Sequence, residues 1–360
     1  MTNFEEFEEV FDSGLKGEHK WIPLSQPKLN AHISLGKSMY ILFGGIPGSG
    51  KTAIVDSVFV LDIYDWWYEN QDKVDILPTW VYRSMERAKF LKIAKWTCYR
   101  LYKLHGLLLD VPTILQWANK KRELTAEEIQ LIKAQKPYFD RMEERVHIIA
   151  GAENPTGIWK DALAFTHERG REIKKTINIG GGKTKEIFSH FEYTNPNEIL
   201  IHVTDHIGKL KAERGFDVKQ TLDKHSEFMG ILRDMFNWTI IDISQLNRGI
   251  MDTYRNVNTD IDIMPQDFKG TANVYENADI VMGLMNPYKL AAFEYMGYDI
   301  KKFVTPNGYN RFRALKVIKN SYGIDDFRIG YQFLGEIGGM KELPTAENFN
   351  LNLADYKDYI

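Results

Sequence analysis

The stretch Gly45-Ile46-Pro47-Gly48-Ser49-Gly50-Lys51-Thr52 decides the fold. It meets the phosphate-loop pattern G-x-x-x-x-G-K-[S/T] at every fixed position. The residues before it, Lys37-Ser38-Met39-Tyr40-Ile41-Leu42-Phe43-Gly44, read as a buried strand running into a turn, and residues 53–65 have the composition of a helix. Strand, loop and helix in that order separate a working phosphate loop from a glycine-rich turn that matches by chance. Glycines let backbone N–H groups turn inward around phosphate oxygens with no Cβ in the way. The helix start adds free N–H groups and positive potential. Gly45, Pro47, Gly48, Ser49 and Gly50 thus form a cradle. Lys51 is suited to reach the β- and γ-phosphates, and Thr52 to hold Mg²⁺. The expected ligands are ATP and Mg²⁺.

A chain of 360 residues allows one large domain or two. With 44% hydrophobic and 26% charged residues it has the balance of a soluble globular protein. No apolar run reaches the roughly 18 residues of a membrane span, so no membrane partner is expected. The start, Met1-Thr2-Asn3-Phe4-Glu5-Glu6, is acidic and lacks the basic start and apolar core of a signal peptide. Cys98 is the single cysteine, which excludes an intramolecular disulfide and a cysteine-based metal cluster. The default compartment is therefore the cytoplasm. With a net charge of −3 there is no global positive field, so a nucleic-acid contact has to gather its basic residues on particular loops.

Outward from the loop, short apolar runs alternate with helical patterns. Residues 1–13 place Phe4, Phe7, Val10 and Phe11 at helical spacing with glutamates between them. Two readings stay open there: a terminus frayed or packed on its own domain, or a linker helix docked on a neighbouring subunit. Residues 14–36 read as an ordered approach in which Trp21, Ile22, Leu24, Leu29, Ile33 and Leu35 cover the sheet edge. Tyr64-Asp65-Trp66-Trp67-Tyr68 reads as core packing at a helix end. A second strand spans 79–84 and ends in Met85-Glu86, followed by a helix with Phe90, Ile93, Ala94, Thr97, Cys98 and Leu101 on one face. Helices are expected near 113–121 and 125–145, a third strand at 146–150, and a helix at 157–175 with a basic end. Residues 176–190 resemble an inserted β-hairpin. Its Gly182-Lys183-Thr184 is not a second phosphate loop, because the motif's first glycine falls on Ile177. The fourth strand, 198–205, is apolar in its middle apart from His202, which reads as a hydrogen-bonded core residue. A helix near 218–236, strands at 238–244 and 278–284, and a strand pair near 311–319 and 326–333 follow.

This order predicts an α/β fold: a mainly parallel sheet with helices on both faces and antiparallel strands at the C-terminal edge. The expected organisation is a linker helix and approach segment over 1–36, a core over 37–335, and a polar tail over 336–360. In such sheets the ligand sits at the carboxyl ends of the strands. Asp205, closing an apolar strand, is the candidate to complete Mg²⁺ coordination. Glu86, just past the second strand, is the candidate base for an attacking water. Gln245, ending the fifth strand, offers an amide able to report a γ-phosphate. Each alone has a plainer reading, since carboxylates after strands are commonly solvated and a glutamate at a helix start commonly caps it. One such residue per strand end, in this order, favours a site.

The ordered set of Gly45 to Thr52, Ser84-Met85-Glu86, Leu200-Ile201-His202-Val203-Thr204-Asp205-His206-Ile207 and Ser244-Gln245-Leu246-Asn247-Arg248 resembles the motifs of replicative hexameric DNA helicases of the DnaB type, with their RecA-like ATPase core. Asp267-Phe268-Lys269-Gly270-Thr271-Ala272, running on to Glu276-Asn277-Ala278-Asp279, is similar to that family's approach to its next strand. Lys319-Asn320 with Gly323 is similar to the stretch where the family places a lysine and an arginine finger. The resemblance covers residues 30–335, roughly. It implies catalytic roles for Lys51, Glu86, Gln245 and Lys319, and a metal site at Thr52 and Asp205. It also implies a homo-oligomeric ring, usually a hexamer, with ATP between neighbours, and contact with a primase or a helicase loader. The loops after Asp205 and Arg248 then face a central channel, where Lys209, Lys211, Arg214, Lys219, Arg248 and Arg255 track the phosphates of single-stranded DNA. Glu213, Asp217, Asp252, Asp260 and Asp262 in the same loops keep ordinary loop charge open as the alternative.

Two departures stand out. The family's N-terminal domain, which contacts primase, has no counterpart in the 36 or so residues before the core strand. Ser321 stands where the family has its arginine finger. Such a finger is worth roughly 10³–10⁵ in rate in other phosphoryl-transfer systems. Either Lys319, Arg311, Arg313 or Arg328 supplies the charge, or hydrolysis is slow. The function expected is an ATP-driven ring helicase that translocates on single-stranded DNA and unwinds duplex. The alternatives are a RecA/RadA-like recombination or scaffold ATPase without unwinding, and a regulatory ATPase that ignores DNA.

Overall fold

The phosphate loop leaves the middle of a nine-stranded sheet. The computed structural model describes residues 3–16, 21–181, 183–251, 261–268, 270 and 272–351. Its strands are β1 (Tyr40–Gly45), β2 (Leu77–Ser84), β3 (Val146–Ala150), β4 (Gly170–Gly180), β5 (Lys183–Tyr193), β6 (Glu198–Asp205), β7 (Thr239–Gln245), β8 (Ile280–Met285), β9 (Glu294–Tyr295), β10 (Tyr298–Asp299), β11 (Phe312–Asn320), β12 (Phe327–Leu334) and β13 (Gly339–Glu342). The main sheet has the order β13-β12-β11-β8-β1-β7-β6-β2-β3. β3, β2, β6, β7, β1 and β8 are parallel. β11, β12 and β13 extend it antiparallel at one edge.

β1, β6 and β8 are buried at every position. A strand covered on both faces reads as an unbroken apolar run instead of an alternation, and Tyr40-Ile41-Leu42-Phe43 is such a run. The period of two still sorts the side chains. Ile41 and Phe43 join Ile201, Val203, Val58 and Phe59 in one core. Tyr40 and Leu42 join Leu200, Ile240, Met229, Leu232 and Trp238 in the other. The first face is closed by the helical stretch Lys51–Ile54, Val55–Leu61, Asp62–Asn70 and by the helix Lys89–His105. The second is closed by Pro155–His167 and Val218–Phe236.

Several local expectations are corrected. The helix expected over 157–175 ends at His167, and the basic residues after it lie on β4. From Gly170 the spacing turns two-fold, with Ile173 and Ile177 half-buried among exposed neighbours. Gly170 also lies against β5 so closely that a Cβ there meets the Glu192 carbonyl at 2.2 Å. The hairpin is therefore Gly170–Gly180 with Lys183–Tyr193, longer than the 176–190 expected. The helix expected over 125–145 is two, Ala126–Lys133 and Lys136–Met142. Pro137 lacks the N–H that a through-running helix needs. The helix expected near 113–121 reduces to Val111–Ile114. Phe90, expected on the buried face, is 60% exposed.

The stretch expected as a polar tail begins with sheet. β13 pairs Met340 with Phe333, and Leu343 and Phe349 are buried. Glu342 accepts the N–H groups of Lys28 and Leu29 at 2.8 and 3.0 Å, joining the approach segment to this edge. Near the N-terminus the helix Asn3–Leu15 forms. Phe4, Phe7 and Phe11 stack along it and are more than half exposed. No described helix is long and apolar enough to cross a membrane.

Candidate functional site

Parallel pairing delivers the site residues to one edge of the sheet. Gly45 at the end of β1 lies opposite Gln245 on one side and Leu284 on the other. β2 and β6 end together, Ser84 opposite Asp205. Lys51, Thr52, Glu86, Asp205 and Gln245 therefore gather at the carboxyl end of the sheet.

The loop needs its glycines. Gly48 and Gly50 have φ of +71° and +103°, in the left-handed range that side-chain-bearing residues rarely adopt. Gly50 immediately precedes the helical stretch starting at Lys51. Ser49 is fully buried at the base of the cradle and its Oγ has no hydrogen-bond partner. A buried hydroxyl left unpaired is costly, and an arriving phosphate oxygen relieves that cost. Arg313, also buried, donates to the Ser49 carbonyl at 2.8 Å and faces the Phe333 ring, so β11 and β12 brace the loop from behind. Burial pulls its guanidinium pKa down to about 10.

The Thr52 hydroxyl donates to Asp205 Oδ1 at 2.9 Å. A hydroxyl beside a carboxylate is the donor set that suits Mg²⁺, a hard cation that takes few protein oxygens and keeps phosphate and water for the rest. Lys51 Nζ rests on the Ile46 carbonyl at 3.1 Å. Burial lowers its pKa to about 8, opposed by the Asp205 and Glu86 carboxylates and aided by the nearby Lys289 ammonium. Glu86 is partly exposed and pairs with His206 Nε2 at 3.2 Å and Lys209 Nζ at 3.3 Å. Lys209, expected to face DNA, thus lies beside Glu86. Gln245 is exposed at its strand end.

In the loop after β6, Glu213 is held by Lys224 at 2.5 Å and by Thr156, and Asp217 caps the helix Val218–Phe236. Lys219 pairs with Asp223. Lys211 and Arg214 are exposed, and no carboxylate neutralises them among the described residues. Arg255, with Asp252 and Asp260, lies outside the described residues, and of Arg248 only the backbone is described. Asp262 accepts from Arg328 and Lys316. Lys319 is not brought to this edge. It lies opposite Val281, near the start of β8, with Nζ on the carbonyls of Glu276 and Ala278 at 3.0 and 2.5 Å.

One cluster escaped the sequence reading. Lys92 Nζ lies 3.1 Å from Asp56, 2.5 Å from the Tyr82 hydroxyl and 3.4 Å from Asp205 Oδ2. Trp96 Nε1 donates to Asp56 at 2.9 Å. Burial pushes the Asp56 carboxyl up, opposed by Lys92 and by the Tyr82 and Trp96 hydrogen bonds. Lys92 and Trp96 stand four apart on the helix Lys89–His105, and that spacing was the available signal. His202, as expected, is a core residue. Burial drives its pKa down to about 3, which keeps it neutral. A cavity of about 450 Å³ opens elsewhere, lined by Tyr64, Trp67, Tyr68 and Arg145 near the start of β2, and holds none of the site residues.

No protein-family model matches the sequence, and no curated protein matches it in sequence. The fold is nevertheless shared with solved structures. One, a helicase ATPase domain solved on its own, aligns at 14% identity with a TM-score of 0.63, over 95% of this chain and 99% of that one. A DnaB-like replicative helicase, described together with its interactions with primase, aligns at 14% identity with a TM-score of 0.61, over 90% of this chain and 63% of that one. The chain has the DnaB-type, RecA-like core fold that the phosphate loop and its strand order predicted.

Proposed function

We propose that this chain is the motor subunit of an ATP-driven ring helicase acting on single-stranded DNA. The observation that carries the reading is the contact of Thr52 with Asp205 at the mouth of the phosphate loop, with Glu86 and Gln245 on the same edge. A cradle alone binds nucleotide; a metal pair, a base and an amide together can turn it over. Lys51 and the loop N–H groups hold the phosphates, and Thr52 and Asp205 hold Mg²⁺, which supplies charge stabilisation when bound. Glu86 orients the attacking water and takes its proton. Gln245 reports the γ-phosphate to the loop that follows it.

The DNA reading is supported by Lys211 and Arg214, which remain unneutralised while the acidic residues near them are engaged within the fold. It is also supported by the likeness of the fold to replicative helicase ATPase domains. On this reading the active form is a homo-oligomer, with six subunits the expected number, and a primase or loader is a further partner. The test combines Lys51→Ala and Glu86→Gln with forked-duplex unwinding and ATPase assays. Lys51→Ala loses tight nucleotide binding. Glu86→Gln binds ATP without turning it over. Normal unwinding by Glu86→Gln refutes the role given to Glu86. DNA-stimulated hydrolysis with strand exchange and no unwinding replaces the helicase by a recombinase.

A further inference from the structure

Two ammonium groups rest on consecutive carbonyls of the phosphate loop. Lys51 Nζ is 3.1 Å from the Ile46 oxygen, and Lys289 Nζ is 3.2 Å from the Pro47 oxygen. Lys289 belongs to the single turn Pro287–Leu290, which follows the carboxyl end of β8. Since β8 runs beside β1 with Leu284 opposite Gly45, that turn overhangs the loop. Pro287 and Leu290 are buried and anchor the turn, while Lys289 is exposed. Its amine lies 2.7 Å from where a Cβ on Gly48 falls, so glycine at 48 leaves room for it.

No carboxylate pairs with Lys289 among the described residues; its one hydrogen bond is to the Pro47 carbonyl. A neutral carbonyl is a weaker partner for an ammonium than an anionic oxygen. Lys51 occupies the same kind of resting place a residue away. We propose that Lys289 is a second phosphate ligand contributed in cis, which leaves the Pro47 carbonyl for the outer phosphates of a bound nucleoside triphosphate. It brings to the site, from the same subunit, positive charge that Ser321 cannot bring from a neighbour. The inference rests on the nucleotide-binding reading above. Two cations facing an empty cradle repel each other, and each added ligand charge gains more from the pair than from Lys51 alone. Lys289 therefore acts mainly on the preference for triphosphate over diphosphate.

The test measures dissociation constants of a fluorescent non-hydrolysable ATP analogue and of fluorescent ADP, with Mg²⁺ at fixed salt. The proteins are the full chain, Lys289→Met, Lys289→Arg and Lys51→Ala, with melting temperatures as a folding check. Lys289→Met weakens the triphosphate analogue about 10-fold, the size of one lost charge-assisted hydrogen bond, and ADP by less than about 3-fold. Lys289→Arg stays within about 3-fold of the parent for both. Unchanged constants in Lys289→Met, or equal losses for both nucleotides, overturn the inference. If Lys51→Ala abolishes binding while Lys289→Met keeps the parent's preference, this inference alone falls. If the parent chain binds neither nucleotide, the nucleotide reading falls with it.

Discussion

Lys92→Met tests the buried cluster beneath Asp205. The ammonium is 2% exposed, and its partners Asp56 and Asp205 are 6% and 7% exposed. It lies 3.1 Å from both oxygens of Asp56 and 3.9 Å from the centre of the Tyr82 ring. Methionine keeps the length and removes the charge, so two carboxylates are left with the Tyr82 hydroxyl and Trp96 Nε1 as buried side-chain donors. A unit charge pair at about 3 Å in an effective dielectric of about 20 is worth about 5 kcal/mol. The ammonium's own desolvation, no longer suffered, offsets part of that. The expected loss is therefore about 3–5 kcal/mol, the range for removing one member of a buried pair. At roughly 2 °C per kcal/mol for a large domain, the melting temperature falls by about 6–10 °C. The assay is thermal and urea unfolding followed by circular dichroism, run as a cycle with Asp56→Asn. The double variant recovers at least about 2 kcal/mol relative to the sum of the single ones. The sign with pH is also fixed. Burial already raises the Asp56 carboxyl, and loss of Lys92 raises it further. The destabilisation of Lys92→Met is then small below the unfolded carboxylate pKa, where Asp56 is protonated in both states, and grows as pH rises through that value. A loss under about 1 kcal/mol at neutral pH, or strict additivity with Asp56→Asn, refutes the reasoning.

Two further outcomes follow from the site. Lys51, held by burial at about 8, is charged at pH 7 and mostly neutral at pH 9 in the free protein. Nucleotide affinity therefore falls by about tenfold between those values, and binding at pH 9 takes up a proton; calorimetry in buffers of different ionisation enthalpy detects it, and a proton-neutral titration at pH 9 contradicts it. Lys211→Glu with Arg214→Glu weakens single-stranded DNA binding and flattens the plot of log affinity against log salt by about 1.4, at about 0.7 for each lost phosphate contact. An unchanged slope with intact nucleotide binding returns that loop to ordinary surface charge.

The parallel half of the fold was legible because two-sided burial forces unbroken apolar runs. β1, β6, β7 and β8 each carry one, and each ends in a glycine or polar residue where the backbone leaves the sheet. The site was legible for the same reason, since Asp205 and Gln245 are the polar residues that close such runs. Legibility failed where contacts distant in sequence decide the structure. β13 is short, and what makes it a strand is pairing with β12 and the grip of Glu342 on the approach segment. Arg169 to Lys175 has a composition that suits a helix, and it is the close pairing of Gly170 with β5 that makes it a strand. Lys92 looked like a solvated lysine in a helix with others like it. Only the meeting of the helix Lys89–His105 with β2, β6 and the phosphate-loop helix turns it into a buried counter-ion. Lys289 escaped because its importance comes from the register of β8 against β1, which no local pattern records.

The sheet also constrains how a catalytic charge can arrive from another subunit. Arg313 is buried behind its own phosphate loop, and Arg328 is engaged by Asp262. Neither is free to cross an interface without giving up a bond that braces its own fold. Lys319 differs. Antiparallel pairing carries β11 away from the loop, so its last residues, Lys319 and Asn320, lie opposite Val281 and Ile280, which in turn face Leu42 and Ile41 at the start of β1. Lys319 therefore stands toward the opposite end of the sheet from its own cradle. Its amine rests on the carbonyls of Glu276 and Ala278. Closed rings with one interface type join unlike surfaces, the face bearing one subunit's site meeting a different face of the next. A lysine at the far end of the strands can serve a nucleotide in such a ring and cannot serve its own. If hydrolysis requires Lys319, then Lys319→Ala mixed with Glu86→Gln restores activity through the interfaces that pair an intact cradle with an intact lysine. Mixtures that stay as inactive as their parents assign the needed charge to the cis side, where Lys289 already stands.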